Sequence, residues 1–244
     1  MTEATEHTVK RYDQELHQLT QRITAMGGLV ESQLGLATRA VLDMDASLAA
    51  RIVADDARID AMEREVEAFA IRLLALRQPL AGDLRLIVAT LKISGELERC
   101  GDYAANAAKR SVALAQFPRP LSLAGLAHLS QLVQQNLKGA VDTIGEGNAE
   151  KALDVWRADE AIDALYDNVF RELITAMMTA PENVAPCTHL LFIAKNLERI
   201  GDHATNIAET VHYAVTGIPL SQARPKADTS SYAVVRPNEA GQTP

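Results

Sequence analysis

The sequence predicts an all-α protein built from two tandem three-helix bundles, six long helices in all, and three observations carry that reading. Leu, Ala, Glu, Arg and Gln dominate while aromatics are only 4%, a composition that favours helix over sheet. Apolar residues recur at helical spacing over stretches of about thirty residues. The whole pattern then returns about a hundred residues later.

The first helix is expected over 7–43, where Leu16, Leu19, Ile23, Met26, Val30, Leu34, Ala37 and Val41 form one apolar stripe. An acidic turn, Asp43-Met44-Asp45, leads into a second helix over 47–76, carried by Leu48, Ile52, Ile59, Met62, Val66, Phe69 and Leu73 and stopped by Pro79. A third begins near Asp83, carries Leu84, Ile87, Leu91, Leu97, Gly101, Ala105 and Ala108, and ends before Phe117-Pro118-Arg119-Pro120. Beyond those prolines the same order resumes at 121–146, 149–179 and 184–216.

The repeat holds residue by residue. Val30, Leu34, Ala37, Val41, Ile52, Ile59 and Asp60 correspond to Val133, Leu137, Ala140, Ile144, Val155, Ile162 and Asp163, each 103 positions later. From the third helix the offset is 100, so that LERCGD at 97–102 matches LERIGD at 197–202. A period this long means a duplicated bundle rather than a solenoid, whose units run to about 20–50 residues. The expected organisation is a first bundle over 1–118, a second over 119–218, and a polar tail over 219–244 without periodicity or fixed structure. Helices of about thirty residues are about 45 Å long, so an elongated molecule is expected.

A net charge of −8 and a pI near 5.3 argue against a partner held by a large positive field, such as nucleic acid or anionic lipid. No apolar stretch approaches the ~20 residues of a membrane span, so no direct membrane insertion is expected. Cys100 and Cys187 have no paired spacing, and the first fifteen residues lack the apolar centre of a signal peptide; both features point to a soluble protein of the reducing cytoplasm.

The chemistry lies in paired acids. Glu98 and Asp102 are four apart, as are Glu198 and Asp202, and the preceding helices carry Asp56 with Asp60 and Asp159 with Asp163. That spacing places both carboxylates on one helix face, where like charges repel and something must offset them. Solvent is the bland answer. A metal ion is the sharper one, because the pairs recur at the same positions in both units, with Gly101 and Gly201 leaving room for a close-lying ion or backbone. Oxygen-only donors suit Mg²⁺, Ca²⁺, Mn²⁺ or Fe rather than a thiolate-preferring ion. Asn106 and Asn206, one turn further on, could add carbonyl oxygens, whereas His203, matched by Tyr103, reads as solvent-facing.

Catalytic patterns are scarce. A ferritin-like di-iron site needs Glu-x-x-His on two helices, and only Glu209 with His212 has that spacing. No Walker motif, GxGxxG, CxxC or HExxH occurs, so the expectation is a protein that is not an enzyme. A metal-storage or metal-dependent helical-bundle enzyme, of ferroxidase or phosphatase type, is the alternative.

The segments LERCGDYAANAAKR and LERIGDHATNIAE, with MGGLVE at 26–31 and RQPLAGDLRLI between the second and third helices, closely resemble the PhoU family of phosphate-signalling proteins over about residues 10–217. The resemblance implies paired three-helix bundles whose E(D)xxxD motifs hold divalent or multinuclear metal in some members, with Mg, Mn, Fe and Zn all open. The matching positions here are Asp56, Asp60, Glu98, Asp102, Asp159, Asp163, Glu198 and Asp202. It further implies a negative regulator of the phosphate-starvation response, an adaptor between the phosphate ABC transporter PstSCAB, through its ATPase PstB, and the sensor histidine kinase PhoR. A homodimer is expected. The RQPLAGDLR loop has no equivalent in the second unit, and its Arg77 and Arg85 are the candidates for docking a partner.

Overall fold

The structure, a computed structural model, describes residues 2–117, 122–220 and 227–233. Among them there are helices and short turns but no strand. The first unit comprises α1 (Thr2–Asp43), α2 (Ala46–Asp55), α3 (Ala57–Arg77) and α4 (Ala81–Leu114). The second comprises α5 (Ala124–Glu146), α6 (Ala149–Thr179) and α7 (Val184–Thr216). α2 and α3 together are the expected second helix, interrupted at Asp56, where the amide of Ile59 donates to the Asp56 carbonyl at 2.9 Å, a tightened turn. The matching helix α6 runs unbroken through Asp159.

The turn that opens the second helix is duplicated down to its backbone. After α1, Met44 takes a left-handed φ of 54° and the Asp45 carboxylate caps α2, accepting from the amides of Ser47 and Leu48 at 3.0 and 2.9 Å. After α5, 103 residues on, Gly147 has φ 60° and Asn148 caps α6, accepting from the amides of Glu150 and Lys151. The third helices start differently. α3 ends at Arg77 and is followed by left-handed Gln78 (φ 46°) and Pro79, whereas α6 runs out into extended Ala180 and a single 3-10 turn, Pro181–Asn183.

The apolar stripes read from the sequence face inward and merge into one core that runs through both units. Leu19, Ile23, Met26, Ile59, Ile87 and Leu97 of the first unit and Leu129, Leu137, Ile162 and Ile193 of the second are fully buried, each contributing about 1.5–3 kcal/mol. α4 and α7, the two longest helices after α1, pack against each other about a pseudo-two-fold axis: the Cys100 thiol lies 4.0 Å from the Ile200 carbonyl, and the Tyr103 and His203 rings stack with centroids 5.5 Å apart. Equivalent residues of the two copies therefore meet at the centre of the molecule. No helix among the described residues is long and apolar enough to cross a membrane.

Part of the tail departs from expectation. Residues 227–233, with a 3-10 turn at Ser230–Tyr232, rest on α6 and α7, held by polar contacts that a composition-based reading does not reveal. The stretches 221–226 and 234–244, also expected to lack fixed structure, lie outside the described residues.

Candidate metal centres

In each unit the second and third helices bring the paired acids onto facing surfaces. Packing fixes this spacing. A Cβ at Gly101 would stand 2.8 Å from Ile59 Cδ1, and one at Gly201 would stand 3.2 Å from Ile162 Cγ2. The two glycines thus admit a neighbouring isoleucine, so the room they leave belongs to helix packing and not to an ion.

The first cluster is open. Asp56, Asp60 and Glu98 are half-buried and Asp102 is exposed. Burial, then the neighbouring charges of Asp102 and Glu63, push the Glu98 carboxyl above its usual range; burial, then Asp56 and Asp60, do the same for Asp102. Glu63, on α3, is raised by burial and then by Glu67 and Asp60, and it adds a fifth acid to the group. Gln33 from α1 steadies the cluster from below, donating through Nε2 to Asp56 Oδ1 at 2.8 Å and to the Gly101 carbonyl at 3.1 Å.

The second cluster is closed. Asp159 is 1% exposed, Asp163 4% and Glu198 4%. The Thr205 hydroxyl faces Asp159 Oδ1 at 3.2 Å and the Gly201 carbonyl at 3.0 Å, the two acceptors that Gln33 serves in the first unit. The residue matching Gln33 is Asn136, one methylene shorter, and its buried Nδ2 has no hydrogen-bond partner. Lys195 Nζ lies 2.8 Å from Glu198 Oε1, while Glu198 Oε2 is buried and accepts no hydrogen bond. Burial, opposed by the Lys195 bond and reinforced by Asp202, pushes the Glu198 carboxyl up to about 7.

Among the described residues, no three carboxylate, histidine or cysteine groups converge at the spacing of a bound metal ion. The chemistry of the donors nevertheless fits a hard cation. Each cluster is all oxygen, mutual repulsion adds to burial in destabilising the charged forms in the first, and the second holds a buried carboxylate oxygen, Glu198 Oε2, that accepts no hydrogen bond. Glu98, Asp102, Asp56 and Asp60 would hold a cation in the first unit; Glu198, Asp202, Asp159 and Asp163 would do so in the second.

Other candidate residues are engaged elsewhere. Asn206 donates to Glu96 Oε2 at 3.0 Å, so its amide serves the other unit rather than the second cluster, and Asn106 is exposed beside Lys109. His203, expected to face solvent, is half-buried, and its Nδ1 lies 2.6 Å from the same Glu96 oxygen. Glu209 of the single Glu-x-x-His pair accepts from Trp156 Nε1 at 2.8 Å. Arg77 forms a two-pronged ion pair with Glu15, at 2.8 and 2.9 Å, and Arg85 donates to the Ala214 carbonyl at 3.3 Å. Both arginines tie the RQP loop to the bundles, and the exposed side chains in and beside it include Leu76, Gln78, Leu80 and Leu84.

Two copies of the PhoU domain match the chain, over residues 23–111 and 126–211, spanning the paired acids of both units. The chain belongs to the PhoU family. It is 49% identical over 228 residues, 93% of this chain and 99% of the relative, to the phosphate-specific transport system accessory protein PhoU homolog of Caulobacter vibrioides. The crystal structure of PhoU from Pseudomonas aeruginosa superposes with a TM-score of 0.82 at 38% identity, covering 85% of this chain and all of that one. The phosphate transport system regulatory protein PhoU from Streptococcus pneumoniae gives 0.80 at 30% identity, covering 86% of this chain and 100% of its own.

Proposed function

We propose that this PhoU-family chain is a cytoplasmic accessory regulator of a phosphate-specific transport system, coupling the transporter ATPase PstB to the sensor kinase PhoR and restraining the phosphate-starvation response when phosphate is abundant. The observation that carries this reading is the near full-length match, in both directions, to an accessory protein of that system. The architecture agrees with an adaptor: Arg77 with Glu15 and His203 with Glu96 tie helices together, and the Glu209–His212 pair has its carboxylate bound by Trp156.

Divalent cations at the two acid clusters are the ligands of this regulator. The RQP loop is its docking surface, with Arg77 and Arg85 shaping the loop from behind. Deleting the gene and measuring alkaline phosphatase in phosphate-rich medium tests the regulatory role: derepression is expected, and a low level unchanged from the parent strain would sink the proposal. Purified protein assayed for phosphatase and ferroxidase turnover tests the adaptor against an enzyme; turnover abolished by Asp102→Ala would favour the enzyme.

A further inference from the structure

The second cluster already contains a cation. Lys195 Nζ sits 2.8 Å from Glu198 Oε1 and 3.1 Å from Asp228 Oδ2, with the Tyr166 ring centroid 4.8 Å away. Asp228 comes from the described part of the tail, which is anchored at several points. The Ala227 amide donates to Asp163 Oδ2 at 3.0 Å and Arg171 Nη2 donates to Thr229 Oγ1 at 3.4 Å, while within the tail the Ser230 amide donates to Asp228 Oδ1 at 2.8 Å and fixes that carboxylate. Residues 227–233 thus lie as a strap across the second cluster and bind two of its elements directly, one acid of α6 and one lysine of α7.

The first unit has neither part. The position matching Lys195 is Gly95, and the position matching Tyr166 is Glu63. An ammonium is replaced by nothing and a phenol by a fifth carboxylate, so the two clusters differ in charge as well as in cover. A divalent cation entering the second cluster must displace the ammonium from Glu198 Oε1 and the amide from Asp163 Oδ2; among the described residues, one entering the first has only the neutral Gln33 amide on Asp56 Oδ1 to displace, and no ammonium.

We propose that Lys195 and the strap 227–233 form an internal cation lock on the second acidic cluster, so that a divalent cation fills the first cluster before the second and filling the second releases the strap. This rests on the reading that the acid clusters hold divalent cations. The lock makes the two halves of a duplicated protein respond at different cation concentrations, and it converts occupancy of the second cluster into exposure of a C-terminal segment.

The test is Mn²⁺ titration of the full chain after chelation, followed by calorimetry and by amide exchange at 227–233. Two variants probe the lock from opposite sides: Lys195→Met removes the ammonium and keeps the stem, and Ala227→Pro removes the amide that Asp163 accepts. Two classes of site are expected, the tighter abolished by Asp102→Asn. Each lock variant should tighten the weaker class at least about tenfold and leave the tighter class alone. The Ala227 amide should exchange faster only as the weaker class fills. If both variants leave the two affinities where they were, or shift the tighter class instead, the lock is wrong while cation binding stands. If neither the full chain nor either variant binds Mn²⁺, the cation reading fails and takes the lock with it.

Discussion

In the first unit the Asp56 carboxylate and the Gly101 carbonyl are held by the amide of Gln33, which reaches across from α1. In the second, the equivalent Asp159 and Gly201 are held by the hydroxyl of Thr205, which rises from α7 itself, and the residue matching Gln33 has become an asparagine too short to reach. The same two acceptors are satisfied from opposite sides. Duplication has preserved the acids and the acceptors they need, and let the donors and the counter-charges diverge. The result is one cluster whose carboxylates are partly open to solvent and repel, and another in which Asp159, Asp163 and Glu198 are buried and Glu198 is paired with a lysine.

The largest expected difference between the clusters is in their response to pH. In metal-free protein the Glu198 carboxyl titrates at about 7, against 4.5 when unfolded, so the folded state binds its proton more tightly. Such a group contributes stability that is fully present below pH 4.5 and is lost as pH rises through about 7, an effect of about 3 kcal/mol. Chelated protein should therefore lose stability as pH rises from 4.5 to about 7 and change little from this group above that. Glu98 and Asp102 shift in the same direction but are more open to solvent and add less. Urea unfolding across this range should show Glu198→Gln flattening the slope and Glu98→Gln leaving most of it. A flat profile in the parent chain would break the contrast between a closed and an open cluster.

The fold was legible because helix packing writes itself into apolar spacing. α6 and α7 begin and end where the periodicity, the Asn148 cap, Pro181 and Gly217 place them. The interruption at Asp56 carries no comparable mark, since its backbone angles remain helical and only the hydrogen bonding changes. The acids of each cluster were legible too, as pairs four apart on two helices. Their counter-charges were not. Lys195 stands three residues before Glu198, an ordinary helical neighbour, and only comparison with Gly95 marks it as an addition to the second unit. Residues 227–233 have no periodicity, because a strap held by single polar contacts needs none. His203 was misplaced because its partner Glu96 lies 107 residues away, across an axis that appears only once α4 and α7 pack.

The exchange of donors gives a sharper test of the same comparison. Thr205→Ala recreates the Ala105 of the first unit and leaves Asp159 without this hydroxyl, at an expected cost of about 2 kcal/mol. Asn136→Gln restores the length of Gln33 and gives its buried, unpartnered amide two acceptors within reach. Added to Thr205→Ala, it should recover at least half the loss; on its own it should be neutral or mildly stabilising. The reciprocal change Gln33→Asn in the first unit should cost about 2 kcal/mol with no threonine to compensate. A double variant no more stable than Thr205→Ala would show that the two donors are not interchangeable.

The smallest effect lies in the duplicated turn between the first and second helices of each unit. Met44 and Gly147 occupy matching positions with φ of 54° and 60°, a left-handed conformation that costs a side-chain-bearing residue about 1 kcal/mol and glycine almost nothing. Met44→Gly should therefore stabilise the first unit by a little under about 1 kcal/mol, the gain being trimmed by the greater freedom of glycine in the unfolded chain. Gly147→Ala should destabilise the second by about 1 kcal/mol. Thermal melts of both variants at one pH decide it. Opposite signs mean that the two turns share one backbone and differ only in how well their residues suit it; a loss in both would mean that the Met44 side chain makes contacts outweighing its strain.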